Sequence, residues 1–510
     1  MTTTASSVVE DEAVKRRAAQ SHLAVSVHSL GKERQLPLLV TDLIASYLDE
    51  SGTSILSNLS VVSKALNQFT TTVIYRDIEL DFSKDACKAA LLLRTLRTNQ
   101  MARGAVRSLT LTNRRPTYWI RQDVADLDVH CDEDDLNLNL DTLVSGDLSL
   151  ERTRPMTERT FMAHSAVARL SIEIICLAAG LQELSVSTGI FEYPAFRSAW
   201  SAMRVLEASL SLQNLRKCSI ALDVAEKISD LGYLVEFASD WDTALIMPFF
   251  APNIETISAV MTLVPASVDP LLLSSVTRLN LHHYQGRKYE LKPLLTATPK
   301  LRFLEYDAIV QFDQNRRPPA LNDLIGLGVL YEALHLVNDT LEELVATQTY
   351  VSNDHHFEGG YEHDYPHPDF YISNLKALSR LRCLSLPYMS LLGRKAREAS
   401  VWNWATILPA TLRSLTLTNH LDENEWNYDP SWEEDELTDT FMTILDWMTT
   451  NTPEHQSSLF ALRFHGVGDE DFPDRPWQQK MDRLCQDRHL RFSLEKLPWE
   501  DYQGQRWPPL

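Results

Sequence analysis

Four histidines crowd into residues 350–371, YVSNDHHFEGGYEHDYPHPDFY, and they are the side chains best suited to hold a metal. His355, His356, His363 and His367 alternate with Asp354, Glu358, Asp364 and Asp369. Imidazole and carboxylate together are a workable donor set for Zn²⁺. No helix is expected to carry them, and Gly359-Gly360 loosens the segment, whereas a preformed site needs a rigid outer shell. The expectation is a polar, partner-facing loop, with no bound metal and no cofactor.

Other chemistry is sparser. Asp132-Glu133-Asp134-Asp135 lacks the alternating ligands and turn glycine of a Ca²⁺ loop. No P-loop, dinucleotide fingerprint, nucleophile elbow, HExxH or CxxC is present, and Gly326-Leu327-Gly328 lacks a third glycine. No carboxylate pair stands out among 69 acidic residues, so no intrinsic enzyme activity is expected. Trp426, Tyr428 and Trp432 lie among carboxylates in HLDENEWNYDPSWEEDEL. There they either fold back over the chain end or meet a basic partner segment. Trp402 and Trp404, in SVWNWATILP, read as core.

These groups need elements to position them, and one element recurs. The pattern L-x-x-L-x-L appears as VRSLTL (106–111), LQELSV (181–186), MRVLEA (203–208), IETISA (254–259) and VTRLNL (276–281). It continues as LRFLEY (301–306), LEELVA (341–346), LRCLSL (381–386), LRSLTL (412–417) and LFALRF (459–464), with a degenerate RFSLE at 491–495. Alternation within each copy predicts a short strand. Helical stretches precede several, among them CKAALLLRTLRT, ARLSIEIICLAAG and YELKPLLTATP. The predicted fold class is therefore α/β: a repeated strand-and-helix array whose parallel strands stack into one curved sheet, each unit burying its neighbour's apolar face.

The residues between the apolar positions then point to the opposite face. They are Ser108, Thr110 and Thr112 in the first copy, and Arg278, Asn280 and His282 in a central one. Phe303, Glu305 and Asp307 follow, and later Ser414, Thr416 and Thr418. Their chemistry changes from copy to copy, which is the mark of a binding surface rather than a catalytic one. Three insertions interrupt the array, near 122–160, 350–371 and 420–438.

Ahead of the array, residues 34–80 form a separate helical module, and residues 1–33, rich in Ser, Thr and charge, are expected to be disordered. Leu36, Val40, Leu43, Ile44, Tyr47 and Leu48 fall on one helical face, with Pro37 just inside the helix start. Ile55, Leu59, Val62, Leu66 and Phe69 make a second face. A module this short buries a marginal core and should dock on something larger.

The segment resembles the F-box family. The residues that carry the resemblance are Leu36-Pro37, Val40, Ile44, Tyr47-Leu48, Leu59-Ser60-Val61-Val62-Ser63-Lys64 and Ile74-Tyr75-Arg76-Asp77-Ile78-Glu79-Leu80. The family often has Glu two residues after the proline, where this chain has Leu39. With the array over 83–500, the whole is similar to F-box proteins with degenerate leucine-rich repeats, of a kind found in fungi. The spacing of the closest copies, roughly 22 to 25 residues, suits such repeats, while other gaps are wider. The resemblance implies that Leu36, Pro37, Val40, Ile44, Tyr47, Leu48, Leu59 and Val62 belong to a module that docks on the Skp-type adaptor of an SCF (cullin–RING) ubiquitin ligase. It also implies that the repeats hold a protein substrate. A repeat scaffold unrelated to ubiquitination is the alternative.

Charge and cysteine usage fit that picture. Across 510 residues, 48 basic against 69 acidic side chains give a net charge of −21, which argues against nucleic-acid binding as the main activity and favours a basic partner surface. The six cysteines are scattered, several in apolar runs, as expected of reduced thiols in the cytoplasm or nucleus. No apolar run reaches the ~20 residues of a membrane span, so no membrane partner is expected.

Overall fold

In the computed structural model, the residues described are 70–112, 167, 170–187, 212–221, 251–260, 273–284, 291–312, 327–352, 375–392, 403–418, 434–451, 458–465 and 475–497. The chain divides into two units: residues 1–77 with 100–106, and residues 78–99 with 107–510. The described part of the first contains helical residues 70–74 and the helix Gln100–Ala105, which buries Ala102 and Ala105.

The second unit is organised by a twelve-stranded sheet whose strands lie side by side in chain order. They are β1 (Asp77–Asp81), β2 (Ser108–Thr112), β3 (Glu183–Ser187), β4 (Lys217–Ala221), β5 (Thr256–Val260) and β6 (Arg278–Tyr284). Then come β7 (Phe303–Phe312), β8 (Glu343–Ser352), β9 (Cys383–Pro387), β10 (Ser414–Thr418), β11 (Ser458–His465) and β12 (Leu490–Leu497). Every pairing from β2 to β12 is parallel. Parallel neighbours need a crossover between them, and the strand-to-strand segments supply it. The architecture is solenoid-like α/β.

The repeat builds the sheet because its leucines form continuous ladders. Leu184, Ile257, Leu279, Leu304, Leu344 and Leu384 occupy equivalent register positions and are all buried. Leu181, Ile254, Val276, Leu301, Leu341 and Leu381, the first apolar residue of each copy, are fully buried just ahead of their strands. The copy also reaches further upstream than L-x-x-L-x-L. A tight turn places another buried residue three positions earlier, with backbone N–H to C=O bonds Leu215 to Leu212, Ile254 to Ala251, Val276 to Leu273 and Leu381 to Leu378.

A backbone clamp joins one repeat to the next. From β2 to β10, the carbonyl of the second residue of a copy accepts two N–H groups from the following copy. Gln182 O takes Arg216 and Lys217, Glu255 O takes Thr277 and Arg278, and Arg302 O takes Glu342 and Glu343. Using both lone pairs satisfies the donors at each strand entry. Side chains reinforce the same positions: Arg302 donates to both Glu342 oxygens at 2.9 and 2.8 Å, and Arg216 reaches Glu255 at 3.2 Å.

Helices lie between several of the described strands. Helix α1 (Phe82–Thr98) buries Ala89, Leu92, Leu93 and Leu96, the i, i+3, i+4, i+7 stripe of a one-faced helix. Its Arg97 pairs with Glu173, on helical residues 170–177, at 2.6 Å. Further on lie α2 (Leu291–Ala297), α3 (Leu327–Ala333), α4 (Tyr388–Leu392), α5 (Trp404–Ile407), α6 (Glu434–Asn451) and α7 (Arg475–Gln486). Helix α6 is held from both sides by buried tryptophans, Trp404 Nε1 donating to Thr443 at 2.8 Å and Trp477 Nε1 to Thr438 at 3.1 Å. Trp404 is thus core, as expected.

Four sequence expectations are corrected or extended. Asp77–Asp81 is strand β1, so the end of the segment read as a helical module is β rather than helix. MRVLEA lies outside the described residues, and the strand between β3 and β5 is KCSIA, where Cys218 takes the place of leucine at exposure 1%. In LFALRF the ladder residues are Phe460 and Leu462, which pair with Leu415 and Leu417, and not Leu462 and Phe464. A two-residue shift keeps the same face turned inward, so alternation alone does not fix the frame. Strands β7 and β8 run to ten residues each, well past the motif.

Candidate functional site

The sheet has two different faces. Opposite the aliphatic ladders, each strand offers residues of changing chemistry in straight rows across the register. One row runs Lys217, Thr256, Arg278, Phe303, Glu343 and Cys383. The next is a row of small polar groups, Ser219, Ser258, Asn280 and then Glu305, resuming at Ser385 and Thr416. Parallel pairing places these neighbours about 4.8 Å apart, within reach of one bound peptide segment.

The structure brings together five of the residues expected on this face. Arg278, Asn280 and His282 follow one another on β6, and Phe303 and Glu305 stand beside them on β7. Arg278 is paired in register with Phe303, and Asn280 with Glu305. The Arg278 guanidinium lies 3.6 Å from the Phe303 ring centroid, a cation–π contact. Ser414 and Thr416 are on the same side of β10, paired with Cys383 and Ser385, and so form a separate stretch of the surface.

Around this centre the neighbouring strands add partners. From β5, the Ser258 hydroxyl lies 3.1 Å from His282 Nε2. From β8, the Thr347 hydroxyl donates to Asp307 at 2.9 Å. Asn280, His282, Asp307 and Ser258 are all buried, while Arg278, Phe303, Glu305 and Thr347 keep part of their surface. The Glu305 carboxyl is pushed up to about 7, first by burial and then by the neighbouring Asp307 charge, with Arg278 opposing.

The register slips at this point. Leu281 pairs with Tyr306, but the next matched pair is Tyr284 with Ala308, so β6 carries one extra residue beside His282. Among the described pairings from β2 to β12 it is the one register shift. A bulge re-aims side chains locally and marks functional stretches of sheet more often than chance. Arg278 Nε and Asn280 Oδ1 are buried here with no hydrogen-bond partner.

Alternation in the sequence placed these side chains on one face. It gave no sign of the bulge, nor of Thr347, which lies beyond the motif. Ser258 was readable as an intervening residue of IETISA. Leu36, Pro37, Val40, Ile44, Tyr47, Leu48, Leu59 and Val62 lie outside the described residues, as do His355, His356, His363 and His367 and the Trp426–Trp432 segment. Among the described residues no group of three His, Cys, Asp or Glu is placed to hold a metal ion, and no helix is long and apolar enough to cross a membrane. No family model matches the chain, and no curated protein matches it significantly.

Proposed function

We propose that this chain is the substrate-recognition subunit of an SCF-type ubiquitin ligase, built as an F-box-like docking module followed by degenerate leucine-rich repeats. The observation that carries the recognition half is the contrast between the two faces of the sheet. One repeats the same aliphatic residues strand after strand, while the other changes from Lys217 to Arg278 to Phe303 to Glu343 at equivalent positions. A uniform ladder is what packing needs, and a varied row is what recognition of one protein partner needs. The docking half rests on the motif from Leu36-Pro37 through Tyr47-Leu48 to the Leu59–Lys64 segment.

On this reading the protein contributes no nucleophile. It holds the substrate near a ubiquitin-charged conjugating enzyme, and the gain in effective concentration drives transfer to a substrate lysine. The test is co-purification of the full chain with a Skp-type adaptor, compared with a chain lacking residues 34–80 and with the Leu36→Ala/Pro37→Ala double variant. Stoichiometric adaptor binding lost in both supports the proposal. Absence of adaptor binding by the intact chain, or binding indifferent to both changes, leaves a repeat scaffold outside ubiquitination.

A further inference from the structure

We propose that the centre of the polar face, where Asn280 stands between Ser258 and Glu305, receives a basic side chain, lysine or arginine, from the protein segment it recognises. This deepens the recognition-subunit reading and rests on it.

Asn280 has only 3% of its surface exposed, and its Oδ1 has no hydrogen-bond donor. A buried acceptor left unmade is costly, and native interiors rarely keep one without a use for it. The side chain rises from the same face as Glu305, its register partner on β7, and Ser258, its register partner on β5. The unfilled acceptor therefore sits beside a carboxylate, with Asp307 two residues further along β7 and Glu343 facing Phe303 from β8.

The charge balance selects the ligand. Facing this spot are Arg278 and His282 from β6, Glu305 and Asp307 from β7, and Glu343 from β8. Among the described residues on these three strands, Arg278 is the permanent cation against three carboxylates, and its guanidinium is laid over Phe303. An anionic group arriving here would meet those three carboxylates. An apolar group would desolvate Glu305 further, with Arg278 left to balance it, and would leave Asn280 Oδ1 without a donor. An ammonium or guanidinium supplies counter-charge and donor at once, and charge-assisted bonds of this kind are the strong ones. The second unfilled atom, Arg278 Nε, is a donor on the same strand, and a backbone carbonyl of the bound segment is its natural acceptor. The bulge beside His282 lies at the same place.

The test uses random linear peptides displayed on phage, panned at pH 8 on the full-length chain and in parallel on its Glu305→Gln/Asp307→Asn variant. Both changes remove charge while keeping shape, and a matching circular dichroism spectrum with a cooperative melting transition verifies that the variant is folded. The expected result is an enriched consensus with one fixed Lys or Arg on the parent chain, not recovered on the variant. The synthetic consensus peptide is then titrated calorimetrically. Replacing its basic residue with Gln should weaken binding at least about tenfold on the parent and within about twofold on the variant, the signature of a direct coupling. No enrichment, a consensus without a basic position, or equal binding by parent and variant would overturn the proposal. Adaptor pull-down on the same preparations is independent of this readout, so loss of the docking reading and loss of the basic-side-chain reading are told apart.

Discussion

Arg278 and Phe303 face each other across the β6–β7 pair, and the guanidinium sits 3.6 Å from the centre of the ring. A cation on an aromatic face, partly removed from water, is worth about 1 kcal/mol beyond simple packing. Phe303→Leu keeps apolar bulk and loses the π face. It should lower the unfolding free energy by roughly 0.5–1 kcal/mol in urea titration, with no such difference when made in an Arg278→Met background.

Glu305 makes stability fall as pH rises. Its folded pKa, about 7, lies above the ordinary carboxyl value of 4.5 from which it is raised, so between these values the folded chain binds more protons than the unfolded chain. The destabilisation from this group is absent below about pH 4.5, grows through the interval, and is complete above pH 7. Glu305→Gln should therefore raise stability at pH 8, by on the order of 2 kcal/mol. It should also flatten that part of the pH–stability profile. An unchanged melting temperature at pH 8 would count against the buried environment assigned to this carboxyl.

Leu304 is fully buried between Leu279 and Leu344 in the central ladder. Leu304→Ala should cost about 2–5 kcal/mol through lost burial and the cavity left behind. In a stacked array each repeat leans mainly on its neighbours. Hydrogen exchange should accordingly speed up most in β6, β7 and β8, and least in β2 and β3. A uniform increase would show that the array opens as one unit.

The cysteines should divide by reactivity. Burial pushes the Cys218 thiol up to about 12, and Cys176 and Cys485 reach about 12 with added push from Glu173 and Asp482. At pH 8 such thiols hold about a thousandfold less thiolate than a free cysteine. Site-resolved iodoacetamide labelling of the folded chain should spare Cys218, Cys176 and Cys485, and denaturant should release all three.

The sheet was legible in the sequence because its three ladder positions are all core positions with fixed spacing. Where a residue broke the letter pattern but not the packing, legibility failed: Cys218 fills a leucine slot, so LRKCSIA passed unnoticed. The frame of β11 was ambiguous because a pleat repeats every two residues, and Phe460 and Leu462, not Leu462 and Phe464, occupy the ladder positions. On the polar face, alternation was enough to place Arg278, Asn280, His282, Phe303 and Glu305 together. The bulge beside His282, the lone acceptor of Asn280 and the raised carboxyl of Glu305 all arise from how side chains crowd in three dimensions, and no spacing rule encodes them.

The backbone clamp at each strand entry has a consequence for how such a chain can grow. The carbonyl that seats the next strand belongs to a residue next to the strand start, so alignment is re-indexed at every repeat regardless of what came between. Glu255 and Thr277 meet after 22 positions, while Arg302 and Glu342 meet after 40. The Arg107 carbonyl takes the N–H groups of Gln182 and Glu183 across a still longer connection. A connection can lengthen many-fold without passing an error downstream, which makes the crossovers, rather than the strands, the natural places for this lineage to acquire and discard segments.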